Sequence, residues 1–477
     1  MNISFTPKES DKAYISNKLW LPKSKIRINS VKQSLEFTTE FLDKEKTVIL
    51  WEESSKHIIC PREFLSPSVY GDYPFPFIDL RPSFGKVKFE DKVTLRDEDQ
   101  NKAWEVLSKH NNGILNLACG KGKTILALKK IAQKGVPTLI IVPDGGILSQ
   151  WKESILGDKK EGKPSVIGFD GELGLVQGPV FDWARPITLA LVTTLALRIR
   201  DNVIPENFFR YFGFIVYDEV HLMGVPVFSL TAAPFYGDRL GLTATVQRED
   251  GLDPIYRFNI GEIFYSDLKQ DLIPKIFFQK TSISLPFKDA MINDMVNISV
   301  LRTKLGTDLT SNIYRYYCIK NALDTGRKIL CLSHSKAQLR LFHAMFPDSG
   351  LIIQNTPKKD RMRILRDSRI CFAIAKLGST GIDDSRLDTL FWLTPFKSKN
   401  SLQQSMGRVQ RTHPEKKNPM VVVFDDILTP PLKKLCLTLK RSLRSWKYKF
   451  QSLPPLDVPK TLPKDVKERY QNELKNI

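Results

Sequence analysis

The sequence predicts an α/β chain. Two parallel-sheet lobes stand in tandem, behind a small N-terminal accessory domain and ahead of a basic helical tail. Three observations carry this reading. Apolar runs of strand length alternate with helix-period segments twice, across 86–258 and again across 291–427, which is how parallel sheets covered by helices on both faces read. Only the first stretch holds a glycine-rich loop, Gly120-Lys121-Gly122-Lys123-Thr124, set between a strand-like and a helix-like run. The chain then changes character after about residue 428: Pro430–Phe450 carries Lys433, Lys434, Lys440, Arg441, Arg444, Lys447 and Lys449 and no acid.

Size and charge narrow the possibilities. A chain of 477 residues suggests two to four domains. Its 42 % hydrophobic and 26 % charged content is that of ordinary globular protein, which excludes a disordered chain. The 72 basic residues exceed the 52 acidic ones by 20, so a polyanionic partner is expected, with nucleic acid the first candidate. The six cysteines are scattered with no Cys-x-x-Cys or Cys/His cluster, which speaks against a zinc site and for free thiols. The N-terminus lacks an apolar signal core, and no run reaches the ~18 apolar residues of a membrane span. The expectation is a soluble, cytoplasmic protein, in the host cytoplasm if phage-encoded.

In chain order, residues 1–85 form the accessory domain. Ile26–Ile28, Leu35–Thr38, Val48–Trp51 and His57–Ile59 read as short strands between polar turns. Tyr70–Phe84, with Pro74, Pro76 and Pro82, reads as a linker. The lysines here are either nucleic-acid contacts or a solvated surface.

In the first lobe (86–258), Asp99–Lys109 reads as a helix. Ile114–Leu117, Thr138–Val142, Thr188–Thr193, Phe214–Tyr217 and Arg239–Leu242 read as strands. The glycine-rich loop follows the first of these. Ile125, Leu126, Leu128 and Ile131 after it fit one helix face. Strand, glycine loop and helix N-terminus together bind phosphate, because converging backbone N–H groups and the helix dipole favour an anion. Lys123 is then placed for the β- and γ-phosphates of a nucleotide and Thr124 for Mg²⁺. Leu117 stands where the full pattern has Gly, so a glycine turn capping an ordinary helix is the plain alternative. Asp218 and Glu219 end the fourth strand, where acids in the same sheet serve a nucleotide. Asp218 is the candidate Mg²⁺ ligand, largely through water, and Glu219 the candidate for orienting the attacking water. His221 is placed to reach the next strand.

Residues 259–290 read as a connector. The second lobe (291–427) has strands at Ile329–Leu332, Leu351–Ile353, Ile370–Ala375, Thr389–Leu393 and Met420–Phe424, with helices at Gln338–Met345, Lys358–Asp367 and Leu402–Val409. It has no phosphate loop of its own, which suggests a nucleotide clamped between two lobes. Arg408 and Arg411 are spaced to share a helix face with Gln404 one turn earlier. They are candidates for cancelling charge on a transferring phosphate, the alternative being a basic surface helix. In the tail (428–477), Leu432, Leu435, Leu439 and Leu443 mark a packed helix face. The cations, with Trp446, Tyr448 and Phe450 among them, mark a face suited to phosphate and bases.

Gly-Lys-Gly-Lys-Thr at 120–124, Asp-Glu-Val-His at 218–221 and Gln-x-x-Gly-Arg-x-x-Arg at 404–411, in that order, resemble the superfamily 2 helicases and translocases of the DExH type. That family is built of two RecA-like lobes, so the resemblance implies that fold here. Several shorter motifs agree. Leu95–Gln100 resembles the segment whose glutamine reads adenine, which puts Gln100 and Cys119 with Gly120, Lys121 and Gly122 on the nucleotide. Ile141-Val142-Pro143 with Gln150-Trp151, and Val192–Leu195 with Thr193 and Thr194, resemble elements that touch the nucleic-acid backbone. Gly241–Thr245 resembles the element coupling hydrolysis to strand movement, through Thr243 and Thr245 with His221. In the second lobe, Ser333-His334-Ser335 and Gly378–Asp383 resemble the fourth and fifth motifs. The resemblance implies nucleic-acid contacts at Ser333, His334, Ser379 and Thr380 and nucleotide contacts at Gly381 and Asp383. It covers about Leu95 to Arg411.

Ala-Cys-Gly-Lys-Gly-Lys-Thr, Gly241–Asp250 and Gly261–Pro274 look like the branch that holds the transcription-repair-factor DNA helicases. Phage recombination helicases acting on branched DNA are similar. Asp144 and Val246 depart from the usual Thr and Pro, without removing a charge that hydrolysis requires. The resemblance implies an ATP- and Mg²⁺-dependent motor on single-stranded, forked or branched DNA, in recombination, repair or replication. A monomer suffices, because two lobes supply one complete ATP site. An RNA helicase, a restriction-system motor subunit and a non-enzymatic nucleic-acid scaffold are the alternatives.

Overall fold

Each strand–helix alternation folds into its own mainly parallel sheet, in two separate units, Met1–Lys269 and Gln270–Ile477. The structure is a computed structural model. It describes residues 11–41, 44–65, 76–118, 120–157, 164–224, 229–244, 251–269, 272–292, 295–375, 384–396, 399–411, 413–446 and 448–477.

The first unit begins with strands β1 (Ala13–Ile15), β2 (Lys18–Pro22), β3 (Glu36–Phe41), β4 (Lys44–Ile49), β5 (Glu52–Glu53), β6 (His57–Pro61) and β7 (Phe77–Asp79) and helix α1 (Ile28–Ser34). Five of the strands form a sheet in the order β5-β6-β2-β1-β7, and β3 and β4 form a separate hairpin. Residue 28, expected to end a strand, starts α1 instead. Ile28, Val31 and Leu35 recur at helical spacing, and Leu35 is fully buried. Part of the expected linker is also structured, since β7 pairs in parallel with β1.

This domain is seated on the lobe behind it by two buried arginines. Arg62 donates to Tyr236 O at 2.8 Å and to Asn112 Oδ1 at 2.9 Å. Arg239 donates to the carbonyl oxygens of Asn17 (2.8 Å), Asn259 and Phe235. Both side chains are almost wholly inside, and each replaces water by fixed carbonyl and amide oxygens. Phe258 of the lobe packs into the domain's small core of Ile15, Leu19, Leu21, Leu35 and Cys60.

The lobe itself has strands β8 (Gly113–Leu117), β9 (Thr138–Val142), β10 (Gly174–Gln177), β11 (Val180–Asp182), β12 (Ile187–Leu191), β13 (Phe214–Asp218), β14 (Asp238–Thr243) and β15 (Ile263–Asp267). Its helices are α2 (Glu98–Lys109), α3 (Lys123–Lys134), α4 (Gly145–Leu156), α5 (Val192–Arg200), α6 (Glu206–Tyr211) and α7 (Asp253–Ile260). Strand order is β11-β10-β12-β9-β13-β14-β8-β15, parallel except for β11. Residues of β8, β9 and β12 alternate between two apolar layers, one on each face, which is why these strands read as unbroken apolar runs. The predicted strand at 188–193 stops at Leu191, because Val192 and Thr193 open α5.

The second unit has strands β16 (Lys275–Lys280), β17 (Met291–Ile292), β18 (Met295–Val296), β19 (Ile329–Ser333), β20 (Gly350–Ile352), β21 (Ile370–Ile374), β22 (Thr389–Trp392), β23 (Met420–Asp425) and β24 (Phe450–Leu453). Its helices are α8 (Ile298–Thr307), α9 (Leu309–Asp324), α10 (Lys336–Met345), α11 (Lys358–Asp367), α12 (Lys399–Val409), α13 (Pro430–Ser445) and α14 (Lys464–Leu474). The seven-stranded sheet β20-β21-β19-β22-β23-β16-β24 is parallel throughout. Thus β15 and β16, inside the stretch read as a connector, belong to the sheets of the first and second units respectively. The tail is built into the second sheet as well. Helix α13 buries Leu432, Leu435, Cys436, Leu439 and Leu443, and β24 forms the sheet's edge beside β16. Helix α14 is tied to α10 by Arg340–Glu473 (2.6 Å) and by Arg469 Nε donating to Ala344 O (3.1 Å). The cysteines among the described residues, Cys60, Cys318, Cys331, Cys371 and Cys436, are buried free thiols. No helix among the described residues is long and apolar enough to cross a membrane.

Candidate nucleotide site in the first unit

Strands β8 and β13 flank β14, so the glycine loop after β8 and the acids after β13 emerge at the same sheet edge. Gly122 is the N-cap of α3 with φ of 85°, a left-handed conformation that L side chains rarely adopt. A Cβ there would also lie 2.3 Å from Gln100 Nε2. The loop therefore closes tightly over α2, and its backbone, not a side chain, faces the space before α3. Lys123 Nζ donates to Leu117 O at 2.9 Å, which holds the ammonium over the loop.

Two side chains lock the back of the loop. Gln100 is 5 % exposed; its Oε1 accepts from Arg96 N at 2.8 Å and its Nε2 donates to Lys121 O at 3.3 Å. The residue expected to read adenine thus braces the phosphate loop. Lys121 turns its ammonium away from the loop, to Asp99 at 2.9 Å and Asp267 at 3.9 Å. Its side chain thereby supports the loop from behind.

The acidic end is equally constrained. Asp218 Oδ2 accepts from the indole Nε1 of Trp151 at 2.8 Å, and Oδ1 accepts from Glu219 N at 3.0 Å. Glu219 is one of two described non-glycine residues with positive φ, at 52°. That turn separates its carboxylate from the Asp218 side chain and brings Oε2 to 3.4 Å from His221 Nδ1. The same His221 nitrogen lies 3.1 Å from Thr243 Oγ1 at the end of β14. A line of contacts therefore runs from the half-buried Glu219 through the buried His221 to Thr243. Burial and the neighbouring Glu219 carboxylate push the Asp218 carboxyl up to about 6, against the Trp151 hydrogen bond and the Lys123 charge. A divalent cation beside this carboxylate acts in the opposite sense.

The donor set fits a nucleoside triphosphate with a hard cation. A lysine and loop amides suit the phosphates, and the Thr124 hydroxyl and Asp218 carboxylate are oxygen donors of the kind Mg²⁺ takes.

The remaining nominated residues divide by exposure. Gln150 and Thr193 are exposed, and Thr194 is half-buried with Oγ1 accepting from Gly178 N at 3.1 Å. Trp151 is 1 % exposed and committed to Asp218, so its expected contact with nucleic acid does not fit. A buried indole finds an acceptor for its N–H, and here the acceptor is the acid. Ser333 is likewise fully buried, its hydroxyl donating to Gln338 Oε1 at 2.7 Å. His334 is exposed, its ring against Trp392 and Phe396. Gln404 and Arg408 lie on α12, and the helix ends at Val409, so Arg411 falls two residues beyond it. Arg411 instead lines a cavity of about 560 Å³ with Arg366, Asp367, Asp384, Arg386 and His413. Cys119, Thr245, Ser379, Thr380, Gly381 and Asp383 lie outside the described residues. Missed from sequence were Trp151 as partner of Asp218 and the Lys121–Asp99–Asp267 group. Trp151 carried a signal, a tryptophan on a helix following a strand of the same sheet.

Comparison with known proteins bears on this arrangement. Residues 90–248 match the family model described as "Type III restriction enzyme, res subunit". The protein L396 of Acanthamoeba polyphaga mimivirus, provisionally named an ATP-dependent RNA helicase, is 26 % identical over 380 residues, 75 % of this chain and 69 % of that one. The DNA 3'-5' translocase XPB2 of Sulfurisphaera tokodaii is 27 % identical over 325 residues, covering 65 % of this chain and 66 % of its own. The chain thus spans about two thirds of the length of these curated relatives. Among solved structures, Dbp5 of S. cerevisiae, bound to RNA and ADP BeF3, superposes with a TM-score of 0.51 at 12 % identity. That match covers 79 % of this chain and 93 % of Dbp5 and bears on the fold alone. Two RecA-like sheets, the ordered phosphate-loop and acid motifs and these relatives point the same way: the chain is similar to the superfamily 2 helicases, a family of ATP-hydrolysing enzymes.

Proposed function

We propose that this protein is an ATP- and Mg²⁺-dependent DNA motor that couples hydrolysis to opening or branch migration of forked or branched DNA in recombination, repair or replication. One observation carries the reading: the phosphate loop and the Asp218–Glu219 pair leave adjacent parts of one sheet edge, with His221 joining Glu219 to Thr243 on the strand between them. Lys123 holds the phosphates, Thr124 and Asp218 the cation, and Glu219 the attacking water. A Mg²⁺ held by Thr124 and Asp218 would supply neutralising charge at the phosphates. Gln404, Arg408 and Arg411 of the second unit are the candidates for neutralising charge on the transferred phosphate. Gln150, Thr193 and His334 are the exposed candidates for backbone contacts, with the cationic face of α13 as a further grip. One chain carries every role, so a monomer works.

DNA is favoured over RNA by the relative named a DNA translocase and by the motif details of residues 241–274. The RNA reading rests on the mimivirus relative's name. Steady-state ATP hydrolysis with no nucleic acid, single-stranded DNA, duplex, fork, four-way junction and RNA separates them, with Lys123→Ala as the blank. Strongest stimulation by forked or four-way DNA supports the proposal. Stimulation by RNA alone replaces the substrate and keeps the motor. Absence of hydrolysis with every one of them, in folded protein, overturns the motor itself.

A further inference from the structure

Trp151 stands in an unusual relation to the acid site. It lies on α4, in the same turn as Gln150, Lys152 and Glu153, all three of which are exposed. The indole runs inward from that helix and ends on Asp218 Oδ2 at 2.8 Å. It belongs to the buried apolar layer that also holds Val142, Leu148, Ile155 and Val216, so the ring is held by packing as well as by its hydrogen bond. Helix α4 is itself tied down at its start, where Asp144 Oδ1 accepts from Gly146 N and Ile147 N at 2.6 and 3.1 Å. A rigid ring therefore connects a helix with an exposed polar face to the carboxylate read here as the cation ligand.

Each Asp218 oxygen accepts one hydrogen bond from the protein, Oδ2 from the indole and Oδ1 from the Glu219 amide. The two donors hold the carboxylate plane and leave each oxygen a lone pair for a cation's water. Of the two, only the indole can be moved by an element other than β13's own turn. A shift of α4 displaces the Oδ2 donor and rotates the carboxylate, whereas the Glu219 amide moves with its own strand.

Resting on the nucleotide-site reading above, we propose that Trp151 is a positioning residue for Asp218: its N–H sets the carboxylate for the cation, and through it the state of α4, and of nucleic acid on that helix's outer face, reaches the metal. Removing a partner of this kind, one bond back from the metal, typically weakens cation affinity about 10- to 100-fold.

The test replaces Trp151 by 3-benzothienyl-alanine, which keeps the ring's shape and loses only the N–H, alongside Trp151→Phe. Full-length protein is used, and far-UV circular dichroism with thermal melting establishes that each variant is folded. Mn²⁺ binding is followed by electron paramagnetic resonance with a non-hydrolysable ATP analogue, with and without single-stranded DNA, and fluorescent-ATP binding is followed in EDTA. The expected result is Mn²⁺ affinity about tenfold weaker in the benzothienyl variant. Nucleotide binding in EDTA stays unchanged, and the DNA-induced change in Mn²⁺ affinity seen in the wild type is lost. Unaltered Mn²⁺ affinity in the folded variant overturns the positioning role. Weakened affinity with the DNA-induced change intact overturns the link through α4. Wild-type protein that binds neither the nucleotide nor Mn²⁺ overturns the nucleotide-site reading instead, a result distinct from both.

Discussion

At the residue scale, single contacts separate chemistry from scaffold. Thr243 Oγ1 meets His221, which meets Glu219, yet Thr243 sits on β14 and belongs to neither motif at the phosphates. Thr243→Val keeps the side chain's shape and removes the hydroxyl. If the line transmits hydrolysis to strand movement, this variant keeps most of its nucleic-acid-stimulated ATPase and loses about tenfold more in unwinding, the scale of one missing buried hydrogen bond. Parallel ATPase and unwinding assays decide it, and equal losses in both would remove the coupling role. Asp238 makes a different kind of contact. Burial alone would raise its carboxyl, but the Lys134 ammonium, with Arg62 and Arg81, holds it below its ordinary value of 3.8. Lys134 lies at 2.6 Å and Arg81 at 2.9 Å, so the carboxylate ties the chain after the N-terminal sheet to the lobe. A depressed carboxylate contributes its full stabilisation above its unfolded-state value, and the contribution fades as pH falls through the lower folded-state value. Wild type should therefore exceed Asp238→Asn in denaturant stability near pH 7, and the two should converge as pH falls through the lowered folded-state value of Asp238. A constant gap across that range would mean the ion pairs contribute nothing of their own.

At the scale of elements, what was legible in the sequence follows from where the signal resides. Strands buried on both faces announce themselves as apolar runs, and β8, β9, β13, β19, β21, β22 and β23 fall within a residue or two of the expected bounds. The phosphate loop and acid turn were legible because chemistry fixes residue type and spacing there. Helix α9 was not, because Ser311, Asn312 and Arg315 are buried on it and break the apolar period. They are buried as partners: Arg315 donates to Leu393 O at 2.9 Å and pairs with Asp426 at 2.8 Å. Strands β15 and β16 were read as connector because their partners are remote in sequence. The same blindness hid the seat of the N-terminal sheet, since nothing near Arg239 in the chain shows that it bonds Asn17, Phe235 and Asn259. Arg239→Ala strands those carbonyls in a dry interior at about 1–3 kcal/mol for each group left unsatisfied. The expected loss is at least about 3 kcal/mol, read as a lowered urea midpoint of the first transition with unchanged slope. A loss below about 1 kcal/mol would mean that water reaches the seam and that the domain is held loosely.

At the scale of the whole molecule, the excess of 20 positive charges bears on how the motor grips its track. A machine that moves along nucleic acid must hold phosphates, which recur, and leave base edges unread, since these differ from step to step. Affinity should then be indifferent to sequence and fall steeply with salt, because each neutralised phosphate releases counterion. Helix α13 offers a way to locate part of that grip. Its leucines are inside, while Lys433, Lys434, Arg441 and Arg444 are exposed. All four side chains reach solvent, although Arg444 also lies over the Phe450 ring at 5.5 Å, so changing them together to Gln removes charge while leaving the buried leucines in place. If they follow a duplex backbone, the slope of log K against log salt should become shallower by about 3 to 4, near 0.9 for each phosphate no longer neutralised. Binding at about 50 mM salt should weaken far more than binding at about 200 mM, where the same attractions are already screened. ATPase without nucleic acid should not change, because none of the four residues is among those assigned to the nucleotide. An unchanged slope with unchanged affinity would place the grip elsewhere and leave α13 as a solvated wall of the second unit. A uniform loss of affinity with the slope preserved would instead show that the substitutions had disturbed packing, since removing a cation from a phosphate cannot weaken binding without also weakening its dependence on salt.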